Sequence, residues 1–192
     1  MNSPLYGKFR VSQKYKGESH KGIDLVGIDS KEIHSTVDGI VEAARWDVKS
    51  GAAGINTSYG MGQYVRIKAE NTNYRYYFGH MSQILAIAGQ KVKKGDIIGI
   101  EGGTGNATGS HVHYEIRQTT SNTTFLNVSE MSGIPNQLGI YEQVGAAVSD
   151  PAFEATKRMV QEKAGLDNNT MKYLQDYRYG EELIRKLAAA MG

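Results

Sequence analysis

The chain has 192 residues, 40% of them hydrophobic, which is enough for one domain with a sizeable core and a small appendage. Its net charge is +2 with no concentrated basic stripe, so nucleic acid is not an expected partner, and no apolar run approaches the ~20 residues of a membrane span. It has no cysteine, which excludes disulfides, thiolate metal sites and cysteine nucleophiles and leaves any tightly held transition metal to His and carboxylate ligands.

The N-terminus, "MNSPLYGKFRVSQKYKG", lacks the apolar core of a signal peptide. The expectation is a domain excised from a longer chain, or one delivered without such a signal. Residues 1–148 read as β-rich, with short Tyr-, Val-, Ile- and Thr-containing runs broken by most of the 23 glycines. "GIVEAARW" (39–46), "GQYVRIKAE" (62–70), "NYRYYFGHM" (73–81) and "HVHYEIR" (111–117) are predicted strands. Short strands with glycine-rich turns predict a mainly β fold, an antiparallel sandwich or barrel-like arrangement.

"SGAAGINTSYGMG" (50–62) and "EGGTGNATGS" (101–110) are small-residue loops. The second contains "GGTG" without the lysine that a phosphate-binding loop needs. From residue 149 the composition turns helical. In "SDPAFEATKRMVQEKAG", Ser149 or Asp150 is the expected N-cap, Pro151 the first helical residue and Gly165 the stop, with Phe153, Met159 and Val160 as the apolar stripe. A helix pair follows with Gly180 as a break and Leu183, Ile184, Leu187 and Met191 at helical spacing. The organisation is therefore a β domain over 1–148 and a helical C-terminal appendage over 149–192.

The chemistry-bearing residues are histidines. Strand alternation places His111, His113 and Glu115 on one face, and Val112, Tyr114 and Ile116 on the other. The two imidazoles leave the backbone ~7 Å apart, so a natural arrangement has one on a metal and the other beside it. Upstream, "SHKGIDL" (19–25) sets His20 four residues before Asp24. In a straight strand these would lie ~13 Å apart, so sharing an ion requires a bend, for which Gly22 supplies freedom. His80 ends a strand, and His34 stands alone and receives no role. Four of the five histidines thus sit in three glycine-flanked, strand-like contexts. Zinc suits the inventory, because catalytic zinc takes three ligands from His, Asp or Glu and keeps an open position for water. His20, Asp24 and one histidine of the pair would complete such a set.

These segments carry a family resemblance. In order along the chain, "SHKGIDL", "STVDGIVEAARW", "SYGMGQYVRI", "YFGHMS" and "GQKVKKGDIIGIEGGTGNATGSHVHYEIR" resemble the motifs of the M23 metallopeptidases, the lysostaphin-type or LytM-type peptidoglycan endopeptidases. The resemblance covers about residues 5–120. It implies a mainly β, antiparallel sandwich with a groove, and one Zn2+ per chain held by His20, Asp24 and His113. It implies catalytic roles for His80 and His111 beside the metal, and leaves the division between them open. The implied reaction is hydrolysis of a peptide bond in the stem peptide or cross-bridge of bacterial peptidoglycan. The expected workplace is the extracellular cell wall or a phage particle, with the chain acting as a monomer.

Two positions depart from the pattern. Ser110 stands where the family often has proline. Tyr15 precedes His20 by five residues, in a loop unlike that of members whose tyrosine stabilises the oxyanion. The groove walls are expected from residues 47–60 and 118–145. One rival reading is a non-catalytic M23-like wall-binding or regulatory domain, which the intact ligand set disfavours. Another is a lipoyl-type carrier hairpin at "GQKVKKGDIIG", which lacks a lysine at a tight tip and leaves the histidines unexplained.

Overall fold

A computed structural model describes residues 1–47, 58–121, 123–144, 151–167, 170–171, 174 and 180–191. The chain divides into two compact units, Met1–Ala146 and Ala147–Gly192. The boundary expected at 148/149 falls within residues 145–150, outside the described residues.

The first unit is built from antiparallel strands. They are β1 (Gly7–Gln13), β2 (Ile23–Gly27), β3 (Glu32–His34), β4 (Gly39–Trp46), β5 (Gln63–Ala69), β6 (Arg75–Met81), β7 (Gln83–Ile84), β8 (Lys91–Val92), β9 (Ile97–Ile100), β10 (Val112–Arg117) and β11 (Gly139–Gln143). The main sheet has the order β11-β1-β2-β10-β6-β5-β4-β8, and a smaller sheet has the order β3-β9-β7. The sequence prediction for 39–46 coincides with β4, and the other three predicted strands are trimmed by one or two residues to β5, β6 and β10.

Alternation explains which side of β10 is core. Val112, Tyr114 and Ile116 are buried with Leu25, Phe78, Ile33 and Ile98 in one continuous apolar cluster. The opposite face is free to carry polar side chains. β6 is buried along nearly its whole length, as befits a central strand covered on both faces. Tyr76 and Phe78 join the main cluster, while Tyr77 packs with Ala43 and Tyr64 on the other face.

The described residues of 118–145, expected as groove wall, include regular structure. They contain a short helix α1 (Val128–Ser132), capped by Asn127, and the edge strand β11 paired with β1. Hydrogen bonding to β1 and burial of Val128 and Ile134 in the core hold this stretch to the sheet.

The second unit contains α2 (Pro151–Ala164) and α3 (Gly180–Met191), with Val160, Met171 and Ile184 buried together. Pro151 opens α2, and Gly165 follows it at φ +63. The expected caps Ser149 and Asp150, the Phe153 side chain and most of the first helix of the expected pair lie outside the described residues. Gly180 opens α3. No helix among the described residues is long and apolar enough to cross a membrane.

Candidate metal and catalytic site

Strand register builds the site. β2 and β6 flank β10, and pairing sets Asp24 opposite His113 on one side and Gly79 opposite it on the other. Asp24 and His113 therefore meet although 89 residues separate them, with His113 Nδ1 2.8 Å from Asp24 Oδ1. His20 follows a 3-10 turn (Gly17–Ser19), and the chain then bends at Gly22 into β2. The bend returns His20 Nε2 to 3.2 Å from the same Asp24 oxygen. The reason for glycine at position 22 is space, not an unusual dihedral. A Cβ there would lie 2.6 Å from both Cε1 and Nε2 of His113 and from the Tyr114 carbonyl.

One potential ligand atom from each of His20, Asp24 and His113 lies within 4.8 Å of the others, and among the described residues this is the one such cluster. The three open onto a groove of about 440 Å³ that His80 and His111 also line, with Gln13, Met61 and Asn106–Thr108 on its walls. Of the expected walls, Gly60 contributes, residues 48–57 lie outside those described, and residues 118–145 contribute none of the described lining. Tyr15 does not line the groove; its ring packs 6.3 Å from that of Phe125. His34 lies apart, buried beneath Tyr6 with Nδ1 2.9 Å from the Gly95 carbonyl.

His80 reaches the groove by breaking its strand's alternation. Regular β geometry would put His80 on the core face with Tyr76 and Phe78, and Met81 on the other. Instead His80 adopts φ +63, alone among the described non-glycine residues, and the pairing of β5 with β6 shifts register between Gln63 and Val65. The faces then exchange: His80 lines the groove, and Met81 is fully buried in the core. A left-handed conformation at such a residue costs ~1–3 kcal/mol and is a mark of functional sites.

Backbone carbonyls fix the imidazole tautomers. A carbonyl only accepts, so the nitrogen facing it must carry hydrogen. His20 Nδ1 donates to Lys14 O at 2.7 Å, His80 Nδ1 to Thr104 O at 2.7 Å, and His111 Nδ1 to Gly109 O at 2.9 Å. Each therefore presents a bare Nε2 lone pair when neutral. His113 is turned the other way. Its Nε2 lies 3.3 Å from Glu115 Oε2, and its Nδ1 faces Asp24. Glu115 is in turn gripped by Arg117, whose Nε and Nη2 donate at 2.7 and 3.2 Å, and the guanidinium sits 4.1 Å above the Tyr77 ring.

The electrostatics follow from this packing. Burial disfavours the Asp24 charge, but His113 and His20 beside the carboxylate outweigh it and hold the carboxyl well below its usual range. Burial likewise opposes charge on His113, yet Asp24 and Glu115 on its two nitrogens push it up to about 9. His80 is dominated by burial, which lowers it to about 4 despite the Thr104 carbonyl. The two carboxylates favour a proton on His113, so a cation binding at Nδ1 has to displace one. The donor set fits a borderline divalent ion. It offers two imidazoles and one carboxylate, with the two rings oriented from behind by a backbone carbonyl and by Glu115.

Glu115 shared a face with the histidine pair by alternation, so its neighbourhood was legible in sequence. Its contact with Arg117 and the Thr104 carbonyl's hold on His80 were not.

Comparison with known proteins agrees with this architecture. Residues 18–125 match the model of peptidase family M23. The peptidoglycan DD-endopeptidase ShyA of Vibrio cholerae is 31% identical over 146 residues, covering 70% of this chain and 31% of that protein. The glycyl-glycine endopeptidase ALE-1 of Staphylococcus capitis is 30% identical over 116 residues, covering 60% of this chain and 28% of that protein. The matched stretch is thus about a third of these relatives' length. Among solved structures, a mutant catalytic domain of the prophage-encoded M23 protein EnpA from Enterococcus faecalis is similar at TM-score 0.52 and 32% identity, covering 66% of this chain and 94% of that one. The lysostaphin catalytic domain from Staphylococcus simulans shares the fold at TM-score 0.52 and 23% identity, covering 67% and 92%. With more than half of its length matched and the motif histidines converging on one groove, the chain belongs to peptidase family M23.

Proposed function

We propose that this chain is a zinc-dependent endopeptidase that hydrolyses a peptide bond in the stem peptide or cross-bridge of bacterial peptidoglycan. The observation that carries the reading is the convergence of His20, Asp24 and His113 on a groove that two further histidines line. The relatives named as peptidoglycan and glycyl-glycine endopeptidases supply the substrate class. The likeness to a prophage-encoded domain favours a phage or prophage lysin acting at the cell wall.

His20 and His113 would hold the ion through Nε2 and Nδ1, and Asp24 through its carboxylate. When bound, zinc with an open position supplies Lewis acidity, lowering the pKa of a water molecule there to about 7 and polarising a carbonyl. The remaining work falls to His80 and His111, whose rings lie 4.6 Å apart. Both present a bare Nε2, so the first task open to this pair is to accept a proton from the attacking water. The resulting imidazolium can offer a hydrogen bond to the tetrahedral oxyanion, and then transfer its proton to the leaving amine as the C–N bond breaks. Burial keeps His80 neutral before the reaction, and Thr104 keeps its ring aimed.

The test is metal analysis of the purified chain together with clearing of purified cell walls. The expected result is about one zinc per chain, and loss of both metal and clearing in His113→Ala. Full clearing by His113→Ala would overturn the mechanism. Metal without clearing would favour the wall-binding alternative. Mass spectrometry of the released muropeptides identifies the bond cut.

A further inference from the structure

Glu101 lies outside the histidine motifs, yet its side chain is wholly buried between the segments that carry them. Oε1 accepts from Ser110 Oγ at 2.7 Å and from Lys31 Nζ at 2.7 Å. Oε2 accepts from the Gly27 backbone N–H at 2.6 Å. The Glu101 carbonyl accepts from Ser82 Oγ at 2.8 Å. Apart from Lys31, the donors belong to three different pieces of the site. Ser110 immediately precedes His111; Gly27 ends β2, the strand of Asp24; Ser82 follows His80 and Met81. The adjoining backbone completes the junction, since Gly102 and His111 form an isolated bridge with His111 N–H 2.9 Å from Gly102 O.

We propose that Glu101 is a positioning residue, a buried carboxylate that fixes the Gly109–His111 turn to the end of β2 and so sets the His111 ring against Asp24 and His80. The chemistry accounts for a carboxylate here. A buried charge is tolerated when its lone pairs are filled, and three donors converge on its two oxygens. His111 Nε2 lies 3.6 Å from Asp24 Oδ2, a separation that a small rotation of the exposed turn would change. The turn's own hydrogen bond, from His111 Nδ1 to Gly109, moves with the turn and cannot anchor it. The Ser110–Glu101 bond runs from the turn to the core, and can.

This inference deepens the hydrolytic reading and rests on it for its activity readout. The test uses Ser110→Ala, which removes one hydroxyl at an exposed position, with Ser110→Thr as the conservative variant. On soluble cross-linked muropeptides, Ser110→Ala is expected to lower kcat about tenfold with KM and metal content unchanged, and Ser110→Thr to restore it. In a His111→Ala background, Ser110→Ala is expected to have no further effect, because the hydroxyl acts through His111. The second readout is independent of activity. The His111 ring Cε1–Hε1 NMR signal is expected to shift or broaden in Ser110→Ala while that of His34 stays in place. An unmoved His111 signal, a kcat change below about twofold, or an equal loss in the His111→Ala background would overturn the proposal. If the unsubstituted chain cleaves no muropeptide, the hydrolytic reading fails and the ring signal still decides the role of Glu101.

Discussion

Replacing Glu115 by Gln should weaken metal binding without touching any of the three proposed ligands. The carboxylate is 2% exposed and pinned by Arg117, so it cannot turn away from His113. Burial alone would raise its pKa, but the bonds from His113 and Arg117 hold it to about 2, and it is ionised at any working pH. Its negative charge makes His113 a better donor at Nδ1 and fixes hydrogen on Nε2. The amide keeps the volume and a carbonyl acceptor for Nε2–H, so the ring orientation survives. The charge does not, and Arg117 is left as an uncompensated cation behind a cation site. Partners of this kind are worth 10- to 100-fold in metal affinity, or about 1.4 to 2.7 kcal/mol. Competition against a chromogenic chelator measures the change, with circular dichroism confirming the fold. Adding Arg117→Gln should recover part of the loss by removing the stranded cation. An affinity within about twofold of the unsubstituted chain would refute the coupling.

Three further outcomes follow from the same geometry. His111→Ala should keep its metal while turnover falls about 10²- to 10⁴-fold, read from metal analysis beside wall clearing; an emptied site would make His111 a ligand. Gly22→Ala should lower the thermal midpoint by the equivalent of ~1–3 kcal/mol and weaken metal binding, because its methyl group meets the His113 ring; an unchanged midpoint and affinity would show that the ring can move aside. His34 should make the fold acid-sensitive, because burial lowers its pKa below the ordinary 6.5. Below that value the unfolded chain binds the proton more readily, so stability falls as pH drops, and His80 contributes in the same direction. Thermal melts from about pH 7 to about pH 5 should be shallower in His34→Asn than in the unsubstituted chain, and parallel curves would contradict this.

Local pattern determined much of this protein. Alternation and turn glycines located β4, β5, β6 and β10, and placed His111, His113 and Glu115 on the side away from Val112, Tyr114 and Ile116. The four-residue interval from His20 to Asp24, with a glycine inside it, implied the bend that brings them to 3.2 Å. These features depend on neighbours within a few residues, which a sequence displays. What only tertiary structure decided is set by partners far along the chain. The register of β2, β10 and β6 put Asp24 beside His113 and chose Nδ1 as the inward nitrogen, with Glu115 behind Nε2. Gly22 proved necessary for the room it leaves His113, not for a bend alone. His80 runs against its own strand's alternation, and no local rule places it in the groove. The left-handed turn at His80 is held by its backbone bond to Met61 and its ring bond to Thr104. Thr104 holds the ring through a carbonyl that every residue possesses, so that one contact carries no signature in side-chain type.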